Sequence, residues 1–331
     1  MADYINIRGQ NIEVVASDPA NPTIGQIWYN STSNTLKANN VTTVGAWVTG
    51  NPLNTTRYNI RGAGTQTAAL AFGGYNDPAG LTGATEEYNG STWATSPGSM
   101  NTARTASAGC GTQTTALGFG GTNAGGNSAA TESWNGSSWT SVNSMNTARY
   151  YLTAAGTQTA ALGAGGYSFP PGITYAATEE YDGTSWTNSN SLNTTRFASG
   201  GCGTQTAGLA FGGAPGPTGA TEEYNGTSWT SSNSLNTARY NLGAAGTQTA
   251  ALAFAGESPG GKLASTEEYD GTSWVTSPVS MNTTRQGIGG AGTQAAALGF
   301  GGDAGGVPFT TGATEEWTGA GAPNTVTITA S

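Results

Sequence analysis

Carboxylates recur at regular intervals along this 331-residue sequence, and a pair of carboxylates can divide the work of general acid and general base. Five copies of a repeated segment carry adjacent acidic residues, namely Glu86-Glu87, Glu179-Glu180, Glu222-Glu223, Glu267-Glu268 and Glu315-Glu316. The second copy has Glu132-Ser133, so only the first Glu is common to all six copies. Adjacent residues of a β-strand point to opposite faces, so each pair predicts two separately placed carboxylates and not a catalytic dyad.

The residue types most often used in catalysis and metal binding are scarce. The sequence has no histidine, which is the commonest general base and metal ligand, and it has two cysteines. Cys110 and Cys202 stand where the other copies have alanine, which predicts small, buried, unpaired thiols. We therefore expect no catalytic residues, no metal and no cofactor, and a protein that is not an enzyme.

Net charge and hydropathy limit the classes of binding partner that are expected. The formal net charge is −9, which disfavours nucleic acid and anionic membranes as partners. No apolar run is long enough to span a bilayer, so no membrane insertion is expected. Residues 1–18 lack a basic start and an apolar centre, and they predict no signal peptide.

Arginine recurs in step with the first Glu. An NT(A/T)R tetrad ends at Arg57, Arg104, Arg149, Arg196, Arg239 and Arg285, and the first Glu of each copy lies at Glu86, Glu132, Glu179, Glu222, Glu267 and Glu315. We expect structural ion pairs in which each Arg bonds the first Glu of its own or an adjacent copy. Loss of one partner would destabilise a semi-buried pair by about 3–5 kcal/mol and an exposed pair by about 0–1 kcal/mol.

These residues belong to a repeat that occurs six times. The GTQ triplet places Gln at 66, 113, 158, 205, 248 and 294, in steps of 47, 45, 47, 43 and 46 residues. Each copy holds four strand-length runs separated by Gly, Asn or Asp, and Asn89-Gly90 is a strong hairpin signal. Four strands at this spacing are typical of one propeller blade, which needs its neighbours to bury a core.

The unit resembles the kelch repeat over about residues 47–317. The matching features of the first copy are Gly73-Gly74, Glu86 with Tyr88, Trp93, and Met100 with Arg104. Other copies depart slightly, with Ala255-Gly256 for the glycine pair and Leu for Met in three copies. The resemblance implies an all-β fold, a six-bladed kelch-like propeller at residues 41–317. It implies no chemistry, because propellers host many functions, and kelch-like copper oxidases require histidine ligands.

The order of the tryptophans predicts how the ring closes. Trp follows the turn after the Glu segment in five copies, at 93, 139, 186, 229 and 274, but the sixth copy lacks it. Trp47 instead precedes the first NT(A/T)R tetrad. We expect the N-terminal strand around Trp47 to complete the blade built by residues 285–317, which removes exposed strand edges.

Both ends of the chain lie outside the repeats. Residues 1–40 predict a short N-terminal β extension, and the stretch from 19 to 47 resembles short β modules of tail-fibre and other virion proteins of tailed bacteriophages. It is expected to dock onto other virion proteins, to cover the outer strand of a blade, or to do both. Residues 318–331 predict a tail strand that pairs with the last blade, with residues 4–16 or with another subunit.

The connections within a copy differ in how much they vary. Those between the first and second runs and between the third and fourth are short and uniform, whereas the connections at 75–83, 122–130, 167–177, 214–220, 257–265 and 303–313 differ in every copy. Variable loops on a rigid scaffold favour a recognition face, and the alternative is drift in unconstrained loops. The candidate binding residues are Tyr75, Asn76, Asp77, Asn123, Tyr167, Phe169, Tyr175, Glu257, Lys262, Asp303 and Phe309, and the five aromatic ones are expected to be exposed.

These observations favour a non-enzymatic structural or fibre-type protein of a tailed-phage virion, assembled in the host cytoplasm and using a propeller face for binding. Its partners would be other virion proteins, through residues 1–46 and the C-terminal strand, and a host-surface glycan or protein. A cellular adhesin or lectin-like module is the alternative. A polysaccharide-acting enzyme is the third hypothesis, with acidic loop residues such as Asp77, Glu257 or Asp303 as the groups to test.

Overall fold

The computed structural model describes residues 12–19, 26–41 and 44–320, and the backbone of 323–328. Every regular element in these ranges is a β-strand, and the described residues contain no helix. The chain divides into two compact units. One comprises Met1–Gly45 with Thr318–Ser331, and the other is Ala46–Trp317.

The terminal unit contains one four-stranded sheet. Its strands, in spatial order, are Glu13–Val15, Ile27–Asn30, Thr35–Val41 and Pro323–Ile328. The first pairing is parallel and the other two are antiparallel, with Leu36 opposite Ile328. The C-terminal strand therefore pairs with Thr35–Val41, a partner that was not among those considered from the sequence. The alternating Val, Ile and Thr predict a strand without specifying its partner.

Asp18 organises the described part of this unit. Its carboxylate accepts hydrogen bonds from Trp28 Nε1 at 3.0 Å, Asn30 Nδ2 at 2.7 Å and Lys37 Nζ at 2.5 Å. These donors, Lys37 foremost, lower the pKa of Asp18 to about 2. Trp28 is fully buried, so it forms the core of the described part of the unit.

Within its described residues, the repeat unit contains six four-stranded antiparallel sheets, here numbered 1 to 6 in chain order, and four two-stranded hairpins. Sheet 1 comprises Arg61–Gly64, Ala69–Phe72, Thr85–Tyr88 and Trp93–Thr95; sheet 2, Ala108–Gly111, Ala116–Phe119, Thr131–Trp134 and Trp139–Val142; sheet 3, Thr153–Gly156, Ala161–Ala164, Thr178–Tyr181 and Trp186–Ser189. Sheet 4 comprises Gly200–Gly203, Gly208–Phe211, Thr221–Tyr224 and Trp229–Ser232; sheet 5, Gly243–Gly246, Ala251–Phe254, Thr266–Tyr269 and Trp274–Thr276; sheet 6, Gly289–Gly292, Ala296–Phe300, Thr314–Thr318 and Ala46–Gly50. Repeated sheets of this kind are consistent with a propeller-like fold.

The first strand of each sheet is made of small residues because neighbouring first strands approach closely. A Cβ atom on Gly62 would lie 2.4 Å from the carbonyl oxygen of Gly290 in sheet 6. A Cβ atom on Gly201 would lie 2.2 Å from Cγ2 of Thr153 in sheet 3. Larger side chains at these two positions would therefore push adjacent sheets apart.

Aromatic rings fill the space between consecutive sheets. Phe72 of sheet 1 packs on Trp139 of sheet 2 with ring centroids 4.9 Å apart. The same contact joins sheet 6 to sheet 1, where Phe300 and Trp93 lie 4.9 Å apart. A few large side chains thus supply the buried apolar area that the glycine-rich strands lack.

Two sets of side-chain hydrogen bonds also join consecutive sheets. The indole of Trp186 donates to Oγ1 of Thr131 one sheet earlier at 3.0 Å, and Trp93 donates to Thr314 of sheet 6 at 3.0 Å. The GTQ glutamines donate to carbonyl groups of the preceding sheet. Gln66 donates to the carbonyl of Trp317 in sheet 6 at 2.7 Å.

A circuit of backbone hydrogen bonds joins six equivalent residues that precede the first strands. Each amide donates to the carbonyl of its counterpart one copy earlier, at 2.7–3.1 Å: Ala106 to Asn59, Tyr151 to Ala106, Ala198 to Tyr151, Asn241 to Ala198, Gly287 to Asn241, and Asn59 to Gly287. All six have positive φ angles between 50° and 61°. The sixth hydrogen bond brings the circuit back to its first residue.

Sheet 6 takes its fourth strand from the other end of the repeat unit. Ala46–Gly50 lies beside Thr314–Thr318, the arrangement expected from the position of Trp47. The Trp47 indole donates to Oγ1 of Thr266 in sheet 5 at 2.8 Å and packs on Phe254 with centroids 5.1 Å apart. Trp47 therefore makes the same contacts as the fourth-strand Trp of sheets 1, 2, 3 and 5.

Candidate functional site

The repeated Arg and first Glu residues form six buried ion pairs, each within one copy. The N–O distances are 2.8 Å for Arg57–Glu86, 2.9 Å for Arg104–Glu132, 3.0 Å for Arg149–Glu179, 2.6 Å for Arg196–Glu222, 2.8 Å for Arg239–Glu267 and 2.8 Å for Arg285–Glu315. None of the twelve side chains is more than 1% exposed.

Each pair is further held by the backbone. Arg149 Nη1 donates to the carbonyl of Ala177 at 2.7 Å, and the second oxygen of Glu179 accepts the amide of Asn146 at 2.7 Å. Burial lowers the pKa of the Arg149 guanidinium, and the charge of Glu179 opposes that shift. Each ion pair therefore connects the loop before a sheet to the third strand of the same sheet.

The second Glu of a copy faces the neighbouring sheet. The Tyr224 hydroxyl donates to Glu180, and that of Tyr269 donates to Glu223 at 2.5 Å. Where a third strand carries Trp in place of Tyr, the indole donates elsewhere, as Trp134 does to the carbonyl of Gln113 at 2.9 Å. The acidic residues are thus spread around the unit, and the two carboxylates of one copy have separate partners.

Four of the six variable loops between second and third strands contain their own small hairpins. These pair Tyr75–Asn76 with Gly80–Leu81, Thr122–Asn123 with Gly126–Asn127, Tyr167–Ser168 with Ile173–Thr174, and Glu257–Ser258 with Gly261–Lys262.

Several polar candidates stabilise these loops. Asn76 Nδ2 donates to the carbonyl of Thr56 at 2.7 Å, and Asn123 Oδ1 accepts the amide of Gly125 at 2.8 Å. The amide of Phe309 donates to Asp77 Oδ2 at 3.4 Å. These contacts hold the loops in shape.

The charged loop candidates form a second polar group. Lys262 Nζ lies 2.6 Å from Asp303 Oδ1, in a partly exposed ion pair. Glu257 contacts Tyr240, and its charge helps to raise the pKa of that hydroxyl, for which burial is the main cause. Asp303 and Glu257 therefore have protein partners.

The aromatic loop residues were expected to be exposed, and for most of them this is wrong. Phe169 is 63% exposed, but Tyr75, Tyr167, Tyr175 and Phe309 are half-buried. Their rings are covered by aromatic and charged neighbours that the sequence does not show to be adjacent. The Arg149 guanidinium, for example, lies 5.8 Å from the ring centroid of Tyr175.

Two aromatic groups result. In the first, Tyr58 lies 5.7 Å from Tyr75 and 5.1 Å from Phe309, measured between ring centroids. We call this the Tyr58 group, and it comprises Tyr58, Tyr75 and Phe309. The Tyr150 group comprises Tyr150, Tyr151, Tyr167 and Phe197, with centroid distances of 4.9–6.2 Å.

A cavity of about 100 Å³, here called the axial cavity, lies between the beginnings of the first strands of the sheets. Arg61, Leu152, Ser199, Leu242 and Ile288 contribute to its wall, together with backbone of the glycine-rich strands. The hydrogen bonds of Arg61 go to main-chain carbonyls, those of Ser107 and, at 3.1 Å, Ile60. Burial lowers the pKa of Arg61 to about 10. The Arg61 guanidinium at this cavity therefore forms no ion pair with a described carboxylate.

Asn59 and Tyr151 stand next to this cavity. Asn59 Nδ2 donates to the Tyr151 hydroxyl at 2.7 Å, and Asn59 lines a small recess together with Arg61. Burial is the main cause that raises the pKa of Tyr151 to about 12, while the charge of Arg61 opposes it. Asn59, Arg61 and Tyr151 therefore form one polar cluster at the start of the axis.

Sequence reasoning missed this cluster because it concentrated on the longer variable loops. The signal is the four residues after each invariant Arg: YNIR, TASA, YYLT, FASG, YNLG and QGIG. These positions vary in a part of the repeat that is otherwise uniform. They supply Tyr58, Asn59, Arg61, Tyr150 and Tyr151.

The two thiols are not nucleophiles at neutral pH. Cys110 and Cys202 are buried and unpaired, and burial raises the pKa of each to about 12. Their sulfurs donate to main-chain carbonyls of Thr157 and Thr247. Among the described residues, no three His, Cys, Asp or Glu side chains are grouped as metal ligands would be. The same residues form no helix that could span a bilayer.

Comparison with known proteins returned neither a matching family model nor a matching curated protein.

Proposed function

We infer that Ala46–Trp317 is a six-bladed kelch-like propeller closed by the strand that carries Trp47. The backbone circuit through Asn59 and Gly287 supports closure, because an open stack would leave those two groups apart. The Gln66 and Trp93 contacts with sheet 6 support it independently. A closed ring of blades leaves no exposed edge at the first or last sheet.

We propose that this propeller is a non-enzymatic, fibre-type structural protein of a tailed-phage virion, and that it binds with one end of the ring. The observation that carries the binding role is the separation of constant and variable residues. The constant Arg, Glu, Gln and Trp side chains are engaged between strands and sheets. The residues that differ from copy to copy meet at the axial cavity and in the adjacent loops.

The virion role is supported by the resemblance of residues 19–47 to phage fibre modules and by the terminal sheet. That sheet unites strands from both ends of the chain, with Leu36 opposite Ile328. A separate β unit of this kind suits docking onto another virion protein, while the propeller binds a host-surface glycan or protein.

Mass spectrometry of particles produced from the encoding genome tests the virion role. The chain is expected in density-purified particles at a copy number similar to that of the other fibre proteins. Its absence from infectious particles would reject the proposal. Particles built with residues 1–45 deleted should then lack the propeller, since the docking unit would be removed.

A lectin-like adhesin is the second candidate, and the two aromatic groups favour it. Half-buried aromatic rings on a rigid frame are suited to stacking on sugar faces. Binding to a glycan array by a chain that no particle contains would favour the adhesin over the virion protein. Turnover of a host polysaccharide that is lost in Asp77→Asn would instead favour the enzyme.

A further inference from the structure

We propose that the axial cavity binds the carboxylate of an acidic saccharide, with Arg61 as its cation. This inference rests on the proposed binding role of the propeller end and names the chemical class of its ligand. The site consists of Arg61, Asn59 and Tyr151 at the start of the axis, with the Tyr58 and Tyr150 groups beside it.

The charge of Arg61 distinguishes it from the repeated arginines. Each of those six has a carboxylate within 3.0 Å, whereas Arg61 contacts two neutral carbonyls and no described carboxylate within 4.0 Å. Its equivalents in the other copies are Ala108, Thr153, Gly200, Gly243 and Gly289. Arg61 is half-buried, and a guanidinium partly removed from water without a counter-ion is destabilised, so a bound anion would offset that cost.

Asn59 supplies a second and independent observation. Its side chain is 4% exposed, and its Oδ1 atom receives no hydrogen bond from the protein. A buried acceptor left without a donor is destabilising. Gly287 leaves room for this atom, since a Cβ there would lie 2.6 Å from Asn59 Oδ1. The cluster therefore offers a cation for an anionic oxygen at the cavity and, in the small recess that Arg61 also lines, an acceptor for a hydroxyl.

A hydroxylated carboxylate matches both requirements. The cavity of about 100 Å³ accepts a carboxylate and its neighbouring carbon, but it is too small for a whole saccharide. The rest of the ligand would lie against the Tyr150 group, which includes Tyr151, and the Tyr58 group. A Cβ atom on Gly287 would lie 3.3 Å from Cδ2 of Tyr58 and 2.6 Å from Asn59 Oδ1, so the Tyr58 group also approaches the cluster.

The other charges at this end do not compete for the same role. Lys262 is already paired with Asp303 at 2.6 Å, and Glu257 contacts Tyr240. Asp77 lies near Tyr58 and helps to raise the pKa of that hydroxyl. An acidic rim would disfavour highly charged polyanions, so the structure favours saccharides that carry isolated carboxylates.

Calorimetric titration of the full chain with uronic-acid disaccharides tests the inference. The matched probes are the same disaccharides with the carboxylate converted to its methyl ester, and acetate and sulfate as simple anions. We expect the acidic disaccharide to bind at least about tenfold more tightly than its ester, because a charge-assisted contact with Arg61 is lost in the ester.

Two variants locate the binding. Arg61→Gln removes the charge at the cavity, and its affinity for the acidic disaccharide should fall at least about tenfold. Lys37→Gln removes a charge of the same sign in the terminal unit, and its affinity should stay within about threefold. Arg61→Gln should melt at or above the wild-type temperature, so a weakened affinity would not reflect unfolding.

Three outcomes would overturn the inference. They are no binding of any acidic disaccharide, equal binding by Arg61→Gln, and equal affinity for acetate or sulfate, which would mean an adventitious ion only. Failure here with the chain present in virions would leave the virion role intact. Binding here with the chain absent from virions would support the site and reject the virion role.

Discussion

Arg57 and Arg61 stand four residues apart and belong to two different regions of the molecule. Arg57 is fully buried, pairs with Glu86 at 2.8 Å and has five counterparts with the same contacts. Arg61 lines the axial cavity, bonds neutral carbonyls and has no counterpart in any other copy. The contacts of Arg57 are therefore repeated in every copy, whereas those of Arg61 occur in one copy.

The difference shows how a repeat protein can carry a single site. Six equivalent residues serve stability well, because each copy presents the same interface to its neighbour. A ligand without sixfold symmetry instead requires residues that occur once. In this chain, such residues follow directly after the most constant one, so the rigid part positions the variable part.

Breaking a constant pair should have the largest effect. Arg149→Ala leaves Glu179 buried and unpaired, and we expect a loss of about 3–5 kcal/mol in the free energy of unfolding, measured by urea denaturation. Lys262→Ala breaks a partly exposed pair and serves as the control, with a loss of about 0–1 kcal/mol. Equal effects of the two substitutions would show that the constant pairs carry no special share of stability.

Trp47 should contribute as much to the stability of the repeat unit as the Trp of another sheet does. Trp47→Ala and Trp186→Ala each remove an indole that bonds a Thr and packs on a Phe of the preceding sheet. We expect each to destabilise the repeat unit by about 3–5 kcal/mol in the same denaturation assay. A much smaller loss for Trp47→Ala would contradict closure by the N-terminal strand.

The hydrogen bonds between Tyr and the second Glu should contribute less to stability than the buried ion pairs and the Trp contacts do. Tyr224→Phe removes a hydroxyl that donates to Glu180, and it should cost about 1 kcal/mol. The matched control is Tyr181→Phe, because the copy before it has Ser133 in place of the second Glu. Thermal melts should show little change for Tyr181→Phe, and a larger change there than for Tyr224→Phe would refute the assignment.

The smallest effect concerns the two thiols. Their pKa of about 12 keeps them protonated below that pH, and both are buried. The native chain should therefore not react with a thiol reagent at pH 8 within hours, whereas the urea-unfolded chain should react at two sites. Rapid modification of the native protein would show that the first strands near the axis open readily.

The repeat made the architecture predictable, since six copies of one pattern fix the strands and the position of Trp47. Pairing of Arg with the Glu of its own copy was one of two options, because sequence spacing does not decide between its own and an adjacent copy. The partner of Pro323–Ile328 was not predictable, because an alternating strand fits several edges.

The candidate site was predicted only in part. The variable loops were identified, but Tyr58, Asn59, Arg61 and Tyr151 were missed, since their proximity arises when first strands from different copies meet at one axis. Several loop residues chosen from the sequence, such as Asn76 and Asn123, instead stabilise their own loops. Polarity in a loop does not distinguish a binding residue from a turn residue.

Hydrogen exchange of the circuit amides tests the closed ring most directly. The Asn59 amide donates to Gly287 across the proposed closure at 2.7 Å, and the Asn241 amide donates to Ala198 within the array at 2.7 Å. A closed ring predicts exchange rates for the two amides within about tenfold of each other under native conditions. Rapid exchange at Asn59, with Asn241 protected, would mean that the first and last copies do not meet.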